Sequence, residues 1–246
     1  MPIPRPPGAV TFDCWGTLLV DVDVRGALER RGAALVRASL RRGLDLAPER
    51  ARELIEAAWQ EHVVAWRNGD LFGPEGAALW CVAQLGLDDP SDIVDELAET
   101  LATGTLDSGT RLVEGAEEAL TALRSRDIPT ALICDTGLTP SRVVREALRR
   151  HGLALAHYFF SDEFGVPKPS PRIFSAALVA IGVEPPTAVH IGDLRRTDVA
   201  GARTAGMASI RFAGVHDDGW LPEDCQAEEA DAVLYHWDDL PALLGL

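Results

Sequence analysis

Residues 187–206 read TAVHIGDLRRTDVAGARTAG, and this stretch decides the fold. Thr187–Ile191 is a short β-prone apolar run, broken by Gly192-Asp193 and followed by a helix expected over Thr197–Ala205. The same alternation extends on both sides. Strands are expected at Ala9–Phe12, Thr130–Cys134, Tyr158–Phe160, Ala208–Phe212 and Ala232–Tyr235. Helices are expected at Gly115–Arg126, Pro140–His151, Pro171–Ile181 and Leu240–Leu244. Alternating strands and helices predict an α/β fold, a three-layer Rossmann-like parallel sheet whose active residues lie at the carboxyl ends of the strands.

Between the first strand and the rest, the pattern changes to helix after helix: Arg25–Arg42, Pro48–Trp66, Pro74–Leu85 and Pro90–Ala102. Three of these open with Pro, where a missing N–H costs little. In the second, Leu54, Ile55, Ala58, Trp59, His62, Val63 and Trp66 recur at helical spacing and predict one apolar face. Trp59 and Trp80 read as core residues, Arg67 as a helix-end cation, and Gly104–Thr110 as a turn-rich link. The expected organisation is a core domain of residues 1–20 and 106–246 with an all-α insert over 21–105.

The strand-end rule singles out Asp13 after the first strand, Cys134-Asp135-Thr136 after the second, and Asp193 after the fourth. Lys168 lies in a loop beyond the third, and His190, inside an apolar strand, reads as a satisfied core histidine. A lone Asp at a strand end is more often a turn former than a catalyst, so the order and spacing carry the signal. Carboxylates converging at strand ends repel one another unless a cation sits among them.

In that order, Phe12-Asp13-Cys14-Trp15-Gly16-Thr17-Leu18, Leu132–Gly137, Ser161–Pro169 and His190-Ile191-Gly192-Asp193 through Asp198 resemble the four motifs of the haloacid dehalogenase superfamily of hydrolases. The resemblance implies that Asp13 is a nucleophile forming a covalent aspartyl intermediate, and that the helical block is the cap this family inserts over its active site. It implies Mg²⁺ held by Asp13, Asp193 and the backbone carbonyl of Trp15. Lys168 would balance the carboxylates, Asp198 would orient metal-bound water or Lys168, and Thr17, Cys134, Asp135 and Thr136 would bind substrate.

Two positions depart from the family pattern. Family phosphatases carry a second Asp two residues after the nucleophile as general acid, and here that residue is Trp15. Family dehalogenases carry an aromatic there, because halide leaves without a proton, but they work without a metal and lack the Gly-Asp seen at Gly192-Asp193. Cys134 stands where Ser or Thr is usual, and a thiol is a weak donor. Three readings stay open: a Mg²⁺-dependent hydrolase of a small phosphorylated compound, a 2-haloacid dehalogenase, and a catalytically impaired binding member.

Composition excludes other classes. With 38 acidic against 23 basic residues the formal charge is −15, and no Lys/Arg block tracks phosphates, so nucleic acid is not an expected partner. No stretch approaches the apolar length of a membrane span. The four cysteines are widely spaced and read as reduced thiols, which with the absence of a leader gives the expectation of a cytoplasmic protein; the resemblance implies a small-molecule substrate, and monomer and homodimer both stay open.

Overall fold

The computed structural model describes residues 1–87, 91–216 and 227–246. The elements, in chain order, are β1 (Ala9–Phe12), β2 (Leu19–Asp21), α1 (Val24–Arg41), α2 (Pro48–Arg67), α3 (Pro74–Gln84), α4 (Ser91–Ser108), β3 (Thr110–Leu112), α5 (Ala116–Arg124) and β4 (Thr130–Cys134). They continue with α6 (Ser141–Arg150), β5 (His157–Phe160), α7 (Ser161–Phe164), α8 (Pro171–Ile181), β6 (Ala188–Gly192), α9 (Ala200–Thr204), β7 (Ala208–Phe212), β8 (Ala232–Leu234) and α10 (Leu240–Leu244). Pro90, the expected start of the fourth insert helix, and Cys225 lie outside the described residues.

The chain divides into two compact units. One comprises Met1–Val20, Arg111–Asp135 and His151–Leu246, and contains a six-stranded sheet in the order β5-β4-β1-β6-β7-β8 with every pairing parallel. Every residue of β1, β6 and β7 is buried, as expected of parallel strands covered on both faces, which is why they read as continuous apolar runs. Helix α8 starts at Pro171 and stops at Gly182 in the left-handed region. Its Ile173, Phe174 and Ala177 pack with Ile133, Ala188 and Ala202. From β1 the chain fills the sheet outward through β4 and β5, then returns to the other side of β1 for β6, β7 and β8. The strand order therefore reverses between β1 and β6, the topological switch point at which open α/β sheets bind ligands.

The other unit, Asp21–Thr110 with Thr136–Arg150, is helical. Its core joins Leu35 and Ala38 of α1, Leu54, Ile55 and Ala58 of α2, Ala77, Ala78 and Cys81 of α3, and Leu97 and Leu101 of α4. Asp23 caps α1, its Oδ1 accepting from Gly26 N at 2.8 Å. Trp59 is 39% exposed, which corrects its reading as core: it sits at the edge of the apolar stripe with its ring tilted against His62.

The expectation of turns over Gly104–Thr110 is also corrected, since α4 runs on to Ser108. Tertiary contacts override the weak helix propensity of Gly104 and Thr105. Arg31 of α1 donates from Nε to Leu101 O at 2.9 Å and from a terminal nitrogen to Thr105 Oγ1 at 3.2 Å. A Cβ on Gly104 would stand 2.8 Å from that Nε, so only Gly leaves room for the arginine. Residues 110–112 then pair with 19–21 as a two-stranded ribbon, β3 with β2, which no sequence signal announced.

Candidate active site

The site begins where β1 ends. Asp13 N donates to Ile191 O at 2.8 Å, carrying the β1–β6 ladder one residue past the strand. The chain then turns sharply: Leu18 N and Leu19 N both donate to Cys14 O, and Gly16 N donates to Leu19 O. Gly16 has φ +73°, and a Cβ there would stand 2.5 Å from Asp193 Oδ2, so both its conformation and its closeness to Asp193 require glycine. Thr17 is fully buried and its hydroxyl faces Asp13 Oδ2 at 3.4 Å. Trp15, between them, is half-buried.

From the neighbouring strand, β6 delivers Asp193, followed by one wide turn over Arg195–Val199 before α9 begins. Asp198 N and Val199 N both donate to Leu194 O, at 2.9 and 3.3 Å, and such local widening recurs at functional sites. The expected helix Thr197–Ala205 thus has this widened turn as its first part. Asp198 Oδ2 accepts from Leu194 N at 3.0 Å and faces the Thr197 hydroxyl at 3.4 Å.

Lys168 completes the cluster. It is the single lysine of the sequence and is 2% exposed. Its Nζ donates to Asp13 Oδ1 at 2.5 Å and to Asp198 Oδ1 at 2.7 Å. Its backbone N donates to Asp135 Oδ1 at 2.9 Å, so the carboxylate after β4 anchors the lysine-bearing loop. Carboxylate oxygens of Asp13, Asp193 and Asp198 all lie within 4.8 Å of one another, and all three residues are buried.

The charges explain one another. Burial, against the opposing pull of Lys168, pushes the Asp13 carboxyl up to about 7, with Asp198 adding to the rise. Asp193 is raised well above the carboxylate range by burial and then by its negative neighbours Asp13 and Asp198. Burial acts the same way on Asp198, but Lys168 and His190 outweigh it and hold that carboxyl well below its ordinary value. For Lys168, burial opposes the charge while Asp13, Asp198 and Asp135 overcome it and raise the pKa well above the ordinary value. Among the described residues the ammonium of Lys168 pairs with Asp13 and Asp198, two of the three clustered carboxylates, an arrangement short of positive charge.

Of the residues singled out from sequence, Asp13, Thr17, Lys168, Asp193 and Asp198 converge, with Asp135 joined through its bond to Lys168. Cys134 lies at the buried end of β4 with its thiol against that of Cys14, and burial pushes its pKa well up. Thr136 falls in the helical unit, where it is buried and its carbonyl accepts from Thr139 N at 3.0 Å. His190 is the buried, satisfied core histidine expected from sequence, but its reach to Asp198 was not foreseen: Nε2 stands 3.1 Å from Asp198 Oδ1 and Nδ1 2.8 Å from Thr11 Oγ1. The signal was present as two polar residues, Thr11 and His190, in otherwise apolar strands upstream of Asp13 and Asp193.

Known proteins resemble the chain in sequence and in fold. A phosphoserine phosphatase from Thermus thermophilus is 40% identical over 116 residues, which are 46% of this chain and 43% of that protein. The chain spans less than half the length of the curated relatives it matches. Among solved structures, a HAD phosphatase from Thermococcus onnurineus superposes with a TM-score of 0.66 at 21% identity, covering 96% of this chain and 97% of that one. A 2-haloacid dehalogenase from Pseudomonas syringae superposes with a TM-score of 0.65 at 22% identity, covering 98% of each chain. These two share the fold. The profile of haloacid dehalogenase-like hydrolases matches residues 7–206, from just before β1 to just after α9, and the chain belongs to that family.

Proposed function

We propose that this chain is a Mg²⁺-dependent hydrolase that uses Asp13 as nucleophile on a small phosphorylated substrate whose leaving group needs little protonation. The observation that carries the reading is the cluster of Asp13, Asp193 and Asp198 around one ammonium. The donor set suits a hard divalent cation, being all oxygen and anionic. Both oxygens of Asp198 already face donors, at Lys168, His190, Leu194 and Thr197. Asp13 and Asp193, with the Trp15 carbonyl, are the ligands in this reading. When bound, the cation would offset the charge of the carboxylates and of the phosphoryl group.

Asp13 attacks phosphorus, a new O–P bond forms as the bond to the leaving oxygen breaks, and water then cleaves the aspartyl phosphate to return the carboxylate and release phosphate. Lys168 holds Asp13 in place through Oδ1 and supplies positive charge beside the incoming phosphoryl oxygens. Asp135 keeps the lysine loop in register through Lys168 N. The phosphatase named among the sequence relatives supports phosphoryl transfer. A cap role for the helical unit, a cytoplasmic location and a small-molecule substrate belong to the same reading.

Trp15 favours a second reading, hydrolysis of a 2-haloacid, because an indole offers no proton and halide needs none. One experiment separates the two: hydrolysis of p-nitrophenyl phosphate with and without Mg²⁺, against Asp13→Asn as blank. Mg²⁺-dependent turnover that disappears in the variant is the expected result. Absence of turnover, with halide released from 2-chloropropionate, would replace the first reading with the second; absence of both would leave a binding member of the family.

A further inference from the structure

We propose that His190 is a positioning residue of the reaction, fixing the carboxylate of Asp198 so that Lys168 is held against Asp13. The inference rests on the reading that Asp13 is the reacting group. Asp198 Oδ1 receives two donors, Lys168 Nζ at 2.7 Å and His190 Nε2 at 3.1 Å. A carboxylate accepts and cannot donate, so Nε2 carries the proton, and Nδ1 accepts from the Thr11 hydroxyl at 2.8 Å. Thr11 is the residue directly opposite His190 in the β1–β6 ladder, so the ring's far nitrogen is fixed by the backbone register itself. The edge-to-face contact with Phe174, 4.9 Å between ring centres, fixes the ring plane.

The result is one chain of contacts, Thr11 to His190 to Asp198 to Lys168 to Asp13, entirely buried. An apolar side chain at 190 would leave Asp198 Oδ1 to the lysine alone. The lysine could then draw Asp198 toward itself and shift away from Asp13 Oδ1. A neutral imidazole is suited to this place because it orients the carboxylate without competing with Lys168 for its charge. A histidine serving only to fill the core would need its polar atoms satisfied, but would not need to share an oxygen with the lysine.

The test compares His190→Leu with His190→Gln, which keeps an N–H donor on a side chain of similar length. Because Lys168 is the single lysine, ¹⁵N-lysine labelling gives one side-chain ammonium signal, visible only while its protons are hydrogen-bonded and shielded from water. The wild type and the Gln variant should show it, and the Leu variant should lose or broaden it. On p-nitrophenyl phosphate with Mg²⁺, kcat should fall by about 10- to 100-fold in the Leu variant with KM within about twofold, and the Gln variant should recover most of the loss. An ammonium signal that is absent from the wild type, unchanged in the Leu variant, or lost equally in both variants would overturn the proposal. If the wild type turns over no phosphate, the functional reading fails and the ammonium comparison still decides the role of His190. Should the Leu variant not fold, Thr11→Val frees Nδ1 with less disturbance, and the expected outcome is a broadened signal; an unchanged one would count against the proposal.

Discussion

Gly192 and Asp198 compete for one small volume: a methyl group on Gly192 would overlap the carboxyl carbon of Asp198. The carboxyl cannot retreat without giving up the Lys168, His190 and Leu194 contacts that hold it. Gly192→Ala should therefore cost about 1–3 kcal/mol of stability by overpacking and lower kcat by about tenfold or more. Urea denaturation and steady-state kinetics on the same preparation check both effects. A stable, fully active variant would mean that Asp198 has more room than the geometry gives it.

Removing the ammonium of the cluster should be worse than removing one of its anions. Lys168→Met leaves Asp13 and Asp198 buried without their partner, a change of the kind that costs about 3–5 kcal/mol. Because those carboxyls can take up protons instead, the loss should shrink at pH 5 relative to pH 8. Chemical denaturation at the two pH values measures it.

Magnesium binding should depend on pH. Without a cation, Asp13 is pushed up to about 7 and Asp193 well above its ordinary value, so below pH 7 a proton must leave before both can act as anionic ligands. Apparent affinity should rise with pH by up to about tenfold per unit for each proton displaced. Calorimetry at pH 6.5 in two buffers of different ionisation enthalpy should show proton release, and equal heats in both would contradict the expectation.

In the proposed reaction Trp15 leaves the departing oxygen without a proton donor. General acid catalysis is worth roughly 10²–10⁴-fold, and a carboxyl at this position would supply it. Trp15→Asp should raise turnover of an alkyl phosphate strongly while changing that of p-nitrophenyl phosphate little, since nitrophenolate leaves unaided. An equal change for both substrates would show that the indole acts through shape rather than through the missing proton.

The sheet was legible because buried parallel strands are written as short apolar runs between helices, and β1, β4 and β7 begin and end where the runs do. The placement of Asp13, Lys168, Asp193 and Asp198 was legible from order and strand ends. What escaped was contact-dependent. Helix α4 continues through Gly104 because Arg31, more than 70 residues earlier, needs the space and supplies the bonds. Asp135 reads from the sequence as a substrate ligand, and its bond to Lys168 N is a further contact that depends on where the neighbouring loop lies. His190 carried its partner Thr11 across a strand pairing, a relationship that single-sequence periodicity does not contain.

The burial of the one lysine also gives the protein an unusual surface chemistry. Every other permanently charged basic side chain in this sequence is an arginine, so among its side chains reagents that modify primary amines have Lys168 alone as a target, and it is buried. Lys168 is 2% exposed and ion-paired with Asp13 and Asp198, so amine labelling at this residue follows the opening of those pairs, read by mass spectrometry without any engineered probe.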